Sequence, residues 1–126
     1  MDAENGIDTK EKMTTNEDTI TLLSAAKNKL ESGWCKCDHD NYYFAVDELG
    51  KSVAVNSPKA VKWCLLGAIY AVKGQDTLID ILRPILKNRM QLNGDVYNVY
   101  LSLYNDLANK EDILSLFDEA IAELRK

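Results

Sequence analysis

The residues best suited to metal chemistry are two cysteines and a histidine close together, with a third cysteine further along the chain. Cys35, Cys37 and His39 alternate with single intervening residues, and Cys64 follows later. Zinc prefers four thiolate or imidazole ligands in a tetrahedron, and these four side chains would supply them. Structural zinc sites usually show Cys-x2-4-Cys spacing, however, and Cys64 lies in an apolar stretch, where a small buried side chain is the commoner role. The pattern favours reduced thiols and a surface histidine; zinc is the alternative, and no cofactor is expected.

Four carboxylates form a second group with chemical potential: Asp38, Asp40, Asp47 and Glu48 surround a predicted hairpin. Paired acids can perform acid–base catalysis or hold a divalent cation. Solvated acids also normally occur at a hairpin tip, and the sequence lacks calcium-loop spacing. Solvated acids are the favoured interpretation. A small metal-assisted enzyme using Asp38, Asp47 or Asp106 is the alternative.

Common catalytic motifs are missing from the sequence. His39 is the only histidine, so a nucleophile–base pair would have to use it. The sequence contains neither a Gly-x-Ser-x-Gly elbow nor a glycine-rich loop that would cradle phosphate. An enzyme is therefore the less favoured class.

Three tyrosines recur at helical spacing near the end of the chain, at Tyr97, Tyr100 and Tyr104. Such a stripe can stack on bases or anchor a protein partner, because tyrosine offers a large contact area at small entropic cost. More often the rings line the edge of a core with their hydroxyls reaching water. The core-edge interpretation is favoured.

Charge is unevenly distributed along the 126 residues, which carry a net charge of −5 and a sequence pI near 4.8. Residues 57–94 hold six bases and two acids, whereas residues 95–126 hold seven acids and three bases. Acidic proteins are poor general nucleic-acid binders, because affinity there comes mainly from neutralising phosphates. Segregated charge can instead steer a protein partner or bring two copies together.

The sequence also predicts a cellular location. It contains neither a long apolar run that would span a membrane nor an apolar leader, and its three cysteines are an odd number. We therefore expect reduced thiols, no membrane association and a cytoplasmic protein.

One apolar stretch organises the predicted fold. Ser57 and Pro58 are typical of a helix start, Gly74 of a helix end, and no charged residue occurs from Trp63 to Val72. A helix that is apolar on all faces is buried. We predict a central buried helix over 57–74, where Gly67 lets another element approach closely.

Periodicity and turn residues predict the other elements of a mainly α (α+β) fold. We expect about five helices, one of which is kinked or divided into two at Pro84. We expect a disordered acidic arm over 1–16 and a single domain over 17–126. The domain begins with a helix near 17–32 and a β-hairpin near 41–55 that has Gly50 in its turn. After the central helix come a helix from about 78, a fourth helix over about 95–105 and a last helix from about 109.

Several segments carry a family resemblance: Gly33-Trp34, Ala45-Val-Asp47 with Gly50, Trp63-Cys64-Leu-Leu-Gly67-Ala68 within the central stretch, and Tyr104-Asn105-Asp106 followed by Ile113 to Ile121. From about residue 20 onward the chain resembles a family of small uncharacterised bacterial and bacteriophage proteins, a domain of unknown function. The resemblance implies a viral or prophage-borne accessory protein. It draws attention to Asn105 and Asp106, for which helix capping is the favoured role: Asn105 ends the fourth helix, and Asp or Asn caps the next.

These observations favour a non-enzymatic interaction protein that binds a host or viral protein. The candidate contact residues are Asp38, Asp47, Tyr97, Tyr100, Tyr104, Asn105 and Asp106. A homodimer is a further alternative, as is nucleic-acid binding through the basic middle third and the tyrosines, whose affinity would fall steeply with salt.

Overall fold

The structure, a computed structural model, describes residues 15–36, 44–95 and 98–126. The elements within these residues are α1 (Asn16–Ser32), β1 (Ala45–Val46), β2 (Lys62–Trp63), α2 (Leu65–Ala71), α3 (Gln75–Met90), α4 (Asn98–Leu107) and α5 (Lys110–Leu124). The prediction of a mainly helical fold with one antiparallel β-hairpin is confirmed. Among the described helices, none combines the length and the apolar character needed to cross a bilayer.

The first helix starts inside the segment that was predicted to be a disordered arm. Thr15 caps α1 by accepting a hydrogen bond from the Asp18 backbone N–H at 3.2 Å. The Asn16 side chain then donates to the Leu124 carbonyl at 3.1 Å, so the start of α1 lies against the end of α5. Thr15 and Asn16 therefore belong to the folded domain, and residues 1–14 of the predicted arm lie outside the described residues.

The β-hairpin is built from different residues than the sequence predicts. β1 pairs antiparallel with β2, with Ala45 opposite Trp63. The predicted turn after β1 does form, with Gly50 at φ 81°. Its far side contributes a single bridge, from Ser52 to Val46, rather than a strand over 52–55. Trp63 also bridges Trp34 in parallel, so this small sheet connects the end of α1 to the centre of the chain.

The central helix is shorter than predicted: it covers 65–71 rather than 57–74. Ser57 caps a tight turn instead of a helix, because its hydroxyl accepts from the Lys59 N–H at 3.1 Å and its carbonyl from Ala60 at 3.0 Å. The Trp63 N–H donates to the Gly33 carbonyl, which keeps the backbone extended there. Tertiary hydrogen bonds thus override the local helix signal.

The predicted burial is confirmed for the middle of this stretch but not for its two ends, and the predicted close approach is confirmed. Residues 63 to 69 are all buried. The Cys64 N–H donates to the Phe44 carbonyl at 3.1 Å, and a Cβ placed on Gly67 would overlap that same carbonyl group. Glycine is therefore required at position 67, because the backbone before β1 crosses the helix there.

Two further features of the helices differ from the sequence prediction. The central helix stops at Ala71, and Gly74, at φ 85°, precedes α3 instead of ending α2. α3 continues through Pro84 as one helix rather than dividing there. Apolar contacts hold it together on both sides of the proline, since Leu82 and Leu86 are fully buried while Pro84 is exposed.

The core lies between α2 and the helices around it. Its largest fully buried side chains come from every described helix: Leu23, Leu30, Leu65, Ile69, Leu78, Leu82, Leu86, Leu101, Ile113, Leu116 and Phe117. α1 and α5 are joined at the surface by an ion pair between Lys27 and Asp118, 2.7 Å apart. α4 packs with one side against α2 and α3.

Candidate functional site

Asn105 is the centre of a buried hydrogen-bond network and does not end a helix. It lies inside α4 and is fully buried. Its Oδ1 accepts from Trp34 Nε1 at 2.7 Å and from the Leu65 backbone N–H at 2.9 Å. Its Nδ2 donates to the Cys35 carbonyl at 3.1 Å and to Asp106 Oδ1 at 3.2 Å. These contacts use both lone pairs and both hydrogens of the amide.

The capping role predicted for Asn105 is therefore wrong, and Asp106 does not cap the next helix. Asn109 does so, since its side chain accepts from the Asp112 N–H at 2.8 Å. An asparagine on the inner face of a helix is stable only with partners for its amide, and here those partners come from distant parts of the chain. Asn105 is buried in the fold and is not exposed to a partner.

The network brings together three of the segments that carry the family resemblance. Trp34 follows α1, Leu65 begins α2, and Asn105 lies in α4. Trp63, beside Leu65, donates from its indole N–H to the Val55 carbonyl at 3.0 Å. The first backbone N–H groups of a helix lack intrahelical partners, so Asn105 supplies one of them at the start of α2. Together these contacts fix the positions of the elements and leave no reacting group at the centre.

Of the four candidate zinc ligands, two lie within the described residues. Cys64 is fully buried, and its Sγ accepts from the Gly67 N–H at 3.4 Å, which makes it the N-cap of α2. Cys35 is half-buried, with its backbone N–H bonded to the Trp63 carbonyl. Cys37 and His39 lie outside the described residues, within which no group of three or more metal-binding side chains occurs.

The candidate carboxylates are separated among different elements. Asp47 shapes the turn after β1, because its Oδ1 accepts from the Leu49 and Lys51 N–H groups, each at 2.9 Å. Glu48 is exposed in the same turn, and Asp106 is half-buried on α4 beside Asn105. Asp38 and Asp40 lie outside the described residues. The Asp47 carboxylate thus stabilises the turn after β1 through its hydrogen bonds.

The outer side of α4 is an exposed apolar face, here called the α4 face and made of Tyr100, Leu103, Tyr104 and Leu107. These positions follow the i, i+3, i+4, i+7 spacing of one helix side. Leu107 is 74% exposed and Leu103 39%, and both tyrosines are half-buried. Leu101, Ser102 and Asn105 form the opposite, buried side.

The sequence prediction found part of this face and missed its most exposed members. Tyr100 and Tyr104 were expected to line a core edge, which their half-buried position fits, while Tyr97 lies outside the described residues. The missing residues were Leu103 and Leu107. The spacing that contains both tyrosines and both leucines was the signal that could have identified them.

Arg89 fixes one flank of the α4 face. Its Nη1 donates to the Tyr104 hydroxyl at 2.8 Å and to the Asp112 carbonyl at 3.1 Å, while Nη2 donates to Glu119 Oε1 at 2.9 Å. Burial alone would lower the pKa of the Arg89 guanidinium, but hydrogen bonds to Tyr104 and Glu119 outweigh burial and raise it. The guanidinium stays charged and joins α3, α4 and α5.

No protein-family model, curated protein or solved structure matches this chain. Among the described residues, the exposed surface with the clearest apolar character is the α4 face.

Proposed function

We propose that this chain is a small non-enzymatic interaction protein that binds a protein partner through the α4 face. The observation that carries the proposal is the exposure of Leu107 and Leu103 on one side of a helix whose other side is buried. Apolar side chains grouped on a surface typically mark an interaction site, and tyrosine and leucine side chains together provide area for burial. The resemblance described above favours a host or viral protein in the cytoplasm as the partner.

The α4 face is also held rigidly, which favours binding. Asn105 fixes the helix from inside through three hydrogen bonds to other parts of the chain, and Arg89 fixes Tyr104 from the side. A surface that is already ordered loses little conformational entropy when a partner covers it. Burying a leucine side chain contributes about 1.5–3 kcal/mol. Leu103 and Leu107 together would therefore give a weak but specific contact, with the tyrosines adding area.

The nucleic-acid alternative has less support. It relies on bases of the middle third and on the tyrosines, but Arg89 is paired with Glu119, with 2.9 Å between Nη2 and Oε1. The Tyr104 hydroxyl is bonded to the same guanidinium. These groups satisfy one another within the fold, which reduces what they offer to phosphates or bases.

Site-specific photo-crosslinking in a bacterial lysate tests the proposal. A photo-reactive phenylalanine replaces Leu107 in one variant and Leu49 in the control, because Leu49 is 80% exposed but lies in the turn after β1. We expect a defined protein adduct at position 107 that is reduced several-fold when Leu103→Ser is added. Equal adducts at both positions, or adducts that ignore the serine substitution, would contradict a role for the α4 face.

A further inference from the structure

Acidic side chains border the α4 face on two sides. Asp106 is half-buried, at a position between the buried Ser102 and the exposed Leu103 around α4, and its Oδ1 accepts from Asn105 Nδ2 at 3.2 Å. Glu111 and Asp112 are exposed in the first turn of α5. One guanidinium nitrogen of Arg89 contacts both the Tyr104 hydroxyl and the Asp112 carbonyl, at 2.8 and 3.1 Å. The first turn of α5 therefore lies directly beside the α4 face.

Arg89, which contacts Tyr104 on this surface, and Lys110 are both already bonded within the fold. Arg89 is paired with Glu119, and Lys110 Nζ donates to the Glu31 carbonyl at 2.9 Å, toward α1. Residues 95–126 as a whole carry seven acids and three bases. Carboxylates within a Debye length of an apolar contact, about 8–10 Å, favour a partner of positive charge.

We infer that the partner segment is a basic amphipathic helix, a conclusion that rests on the proposed function of the α4 face. The four apolar side chains cover two helical turns, about 10 Å along α4, which matches an apolar stripe of the same spacing on a second helix. Lysine or arginine beside that stripe would meet Asp106 on one side and Glu111 and Asp112 at the end. A second copy of this chain would bring like charges together instead.

Three synthetic peptides test the inference with the full chain. The first is an amphipathic helix of leucine and lysine, about 18 residues long so that it can form a helix on binding. The second has the same composition in scrambled order, and the third keeps the apolar stripe but replaces every lysine with glutamate. Fluorescence anisotropy measures binding of each peptide at about 50 and 300 mM salt.

We expect the amphipathic lysine peptide to bind at least about tenfold more tightly than the other two at low salt, and to weaken as salt rises. The double change Leu103→Ser with Leu107→Ser should weaken it about thirtyfold or more, since the exposed surface of each leucine loses its apolar contact. Asp106→Asn with Glu111→Gln should weaken it about threefold and reduce the salt dependence. Leu49→Ser is the matched control and should leave binding unchanged.

The contrary outcomes separate the two claims. If the glutamate peptide binds as tightly as the lysine peptide, and both need the leucines, the basic partner is wrong while the α4 face remains a binding surface. If the lysine peptide ignores the serine changes, or the scrambled peptide binds equally, the binding is non-specific charge attraction and both claims fail. If sedimentation shows a dimer that the serine changes dissociate, the occupant is a second copy and the basic helix is overturned.

Discussion

Replacing Asn105 should cost more stability than any other single polar change in the described residues. Asn105→Ala removes the contact to the neighbouring Asp106 and leaves three groups outside α4 without their Asn105 partner: the buried Leu65 N–H, the Trp34 indole N–H and the Cys35 carbonyl. A buried polar group left unpaired costs about 1–3 kcal/mol, and less where water can reach it. With Leu65 buried and the other two partly accessible, the loss should be about 3–5 kcal/mol.

A loss of this size is large against the total stability of a small domain, which is about 5–15 kcal/mol. At about 4 °C per kcal/mol for a chain of this length, Tm should fall by about 12–20 °C. Asn105→Asp gives a sharper test, because it keeps the acceptor but loses the Nδ2 donor and places a carboxylate against the Cys35 carbonyl and Asp106. Burial and the neighbouring charge raise the pKa of such a carboxyl, so its penalty should shrink as pH falls and the group becomes a donor.

Urea unfolding followed by circular dichroism measures both variants, and the indole fluorescence of Trp34 and Trp63 reports the site itself. Asn93→Ala is the matched control, since Asn93 is exposed and should change stability by less than about 0.5 kcal/mol. A loss below about 1 kcal/mol for Asn105→Ala would refute the network as a determinant of the fold. An Asn105→Asp variant whose deficit does not change with pH would refute the assigned donor role.

Three further changes test separate contacts, each by urea unfolding. Gly67→Ala should destabilise the fold by about 2 kcal/mol or more despite the better helix propensity of alanine, because its Cβ would overlap the Phe44 carbonyl. Gly50→Ala is the control: it lies in an open turn and should cost only about 1 kcal/mol. Arg89→Lys should cost about 1–2 kcal/mol, because an ammonium cannot contact three helices at once; an unchanged midpoint would contradict this. The hydrogen bond that the Lys27 ammonium donates to the Asp118 carboxylate raises the pKa of Lys27. Lys27→Met should therefore cost about 0.5 kcal/mol at neutral pH, a difference that is fully present below the ordinary pKa of 10.5 and disappears as pH rises through the raised value.

The parts of the fold that depend on neighbours in sequence were predictable. The apolar period and the Asn109 cap located α5, and the burial of residues 63–69 and the close approach at Gly67 followed from residue types alone. The start of the central helix was not predictable in this way. Ser57 and Pro58 are a strong local signal, but hydrogen bonds to residues 33 and 46 decide the backbone conformation of the segment that follows.

Asn105 shows the same limit at the level of a single side chain. Near the end of a predicted helix, an asparagine is typical of a cap, and nothing adjacent to it in sequence indicates otherwise. Its partners Trp34 and Leu65 are far away in the chain, so only the tertiary arrangement identifies its role. The α4 face differs, because its spacing was visible in the sequence. What could not be seen was which side of α4 faces the core.

That choice of side has an energetic consequence. Hydrogen bonds to Asn105 and the burial of Leu101 hold α4 in place from its inner side, so the largely exposed Leu107 contributes little to folding. Leu107, 74% exposed, keeps most of its apolar surface in water. At about 25 cal/mol per Å² of apolar area, the free energy of burying that surface is not realised within this chain. This free energy is available for association with a partner. Because α4 is already ordered, a partner of complementary charge would gain most of the free energy of burying Leu107.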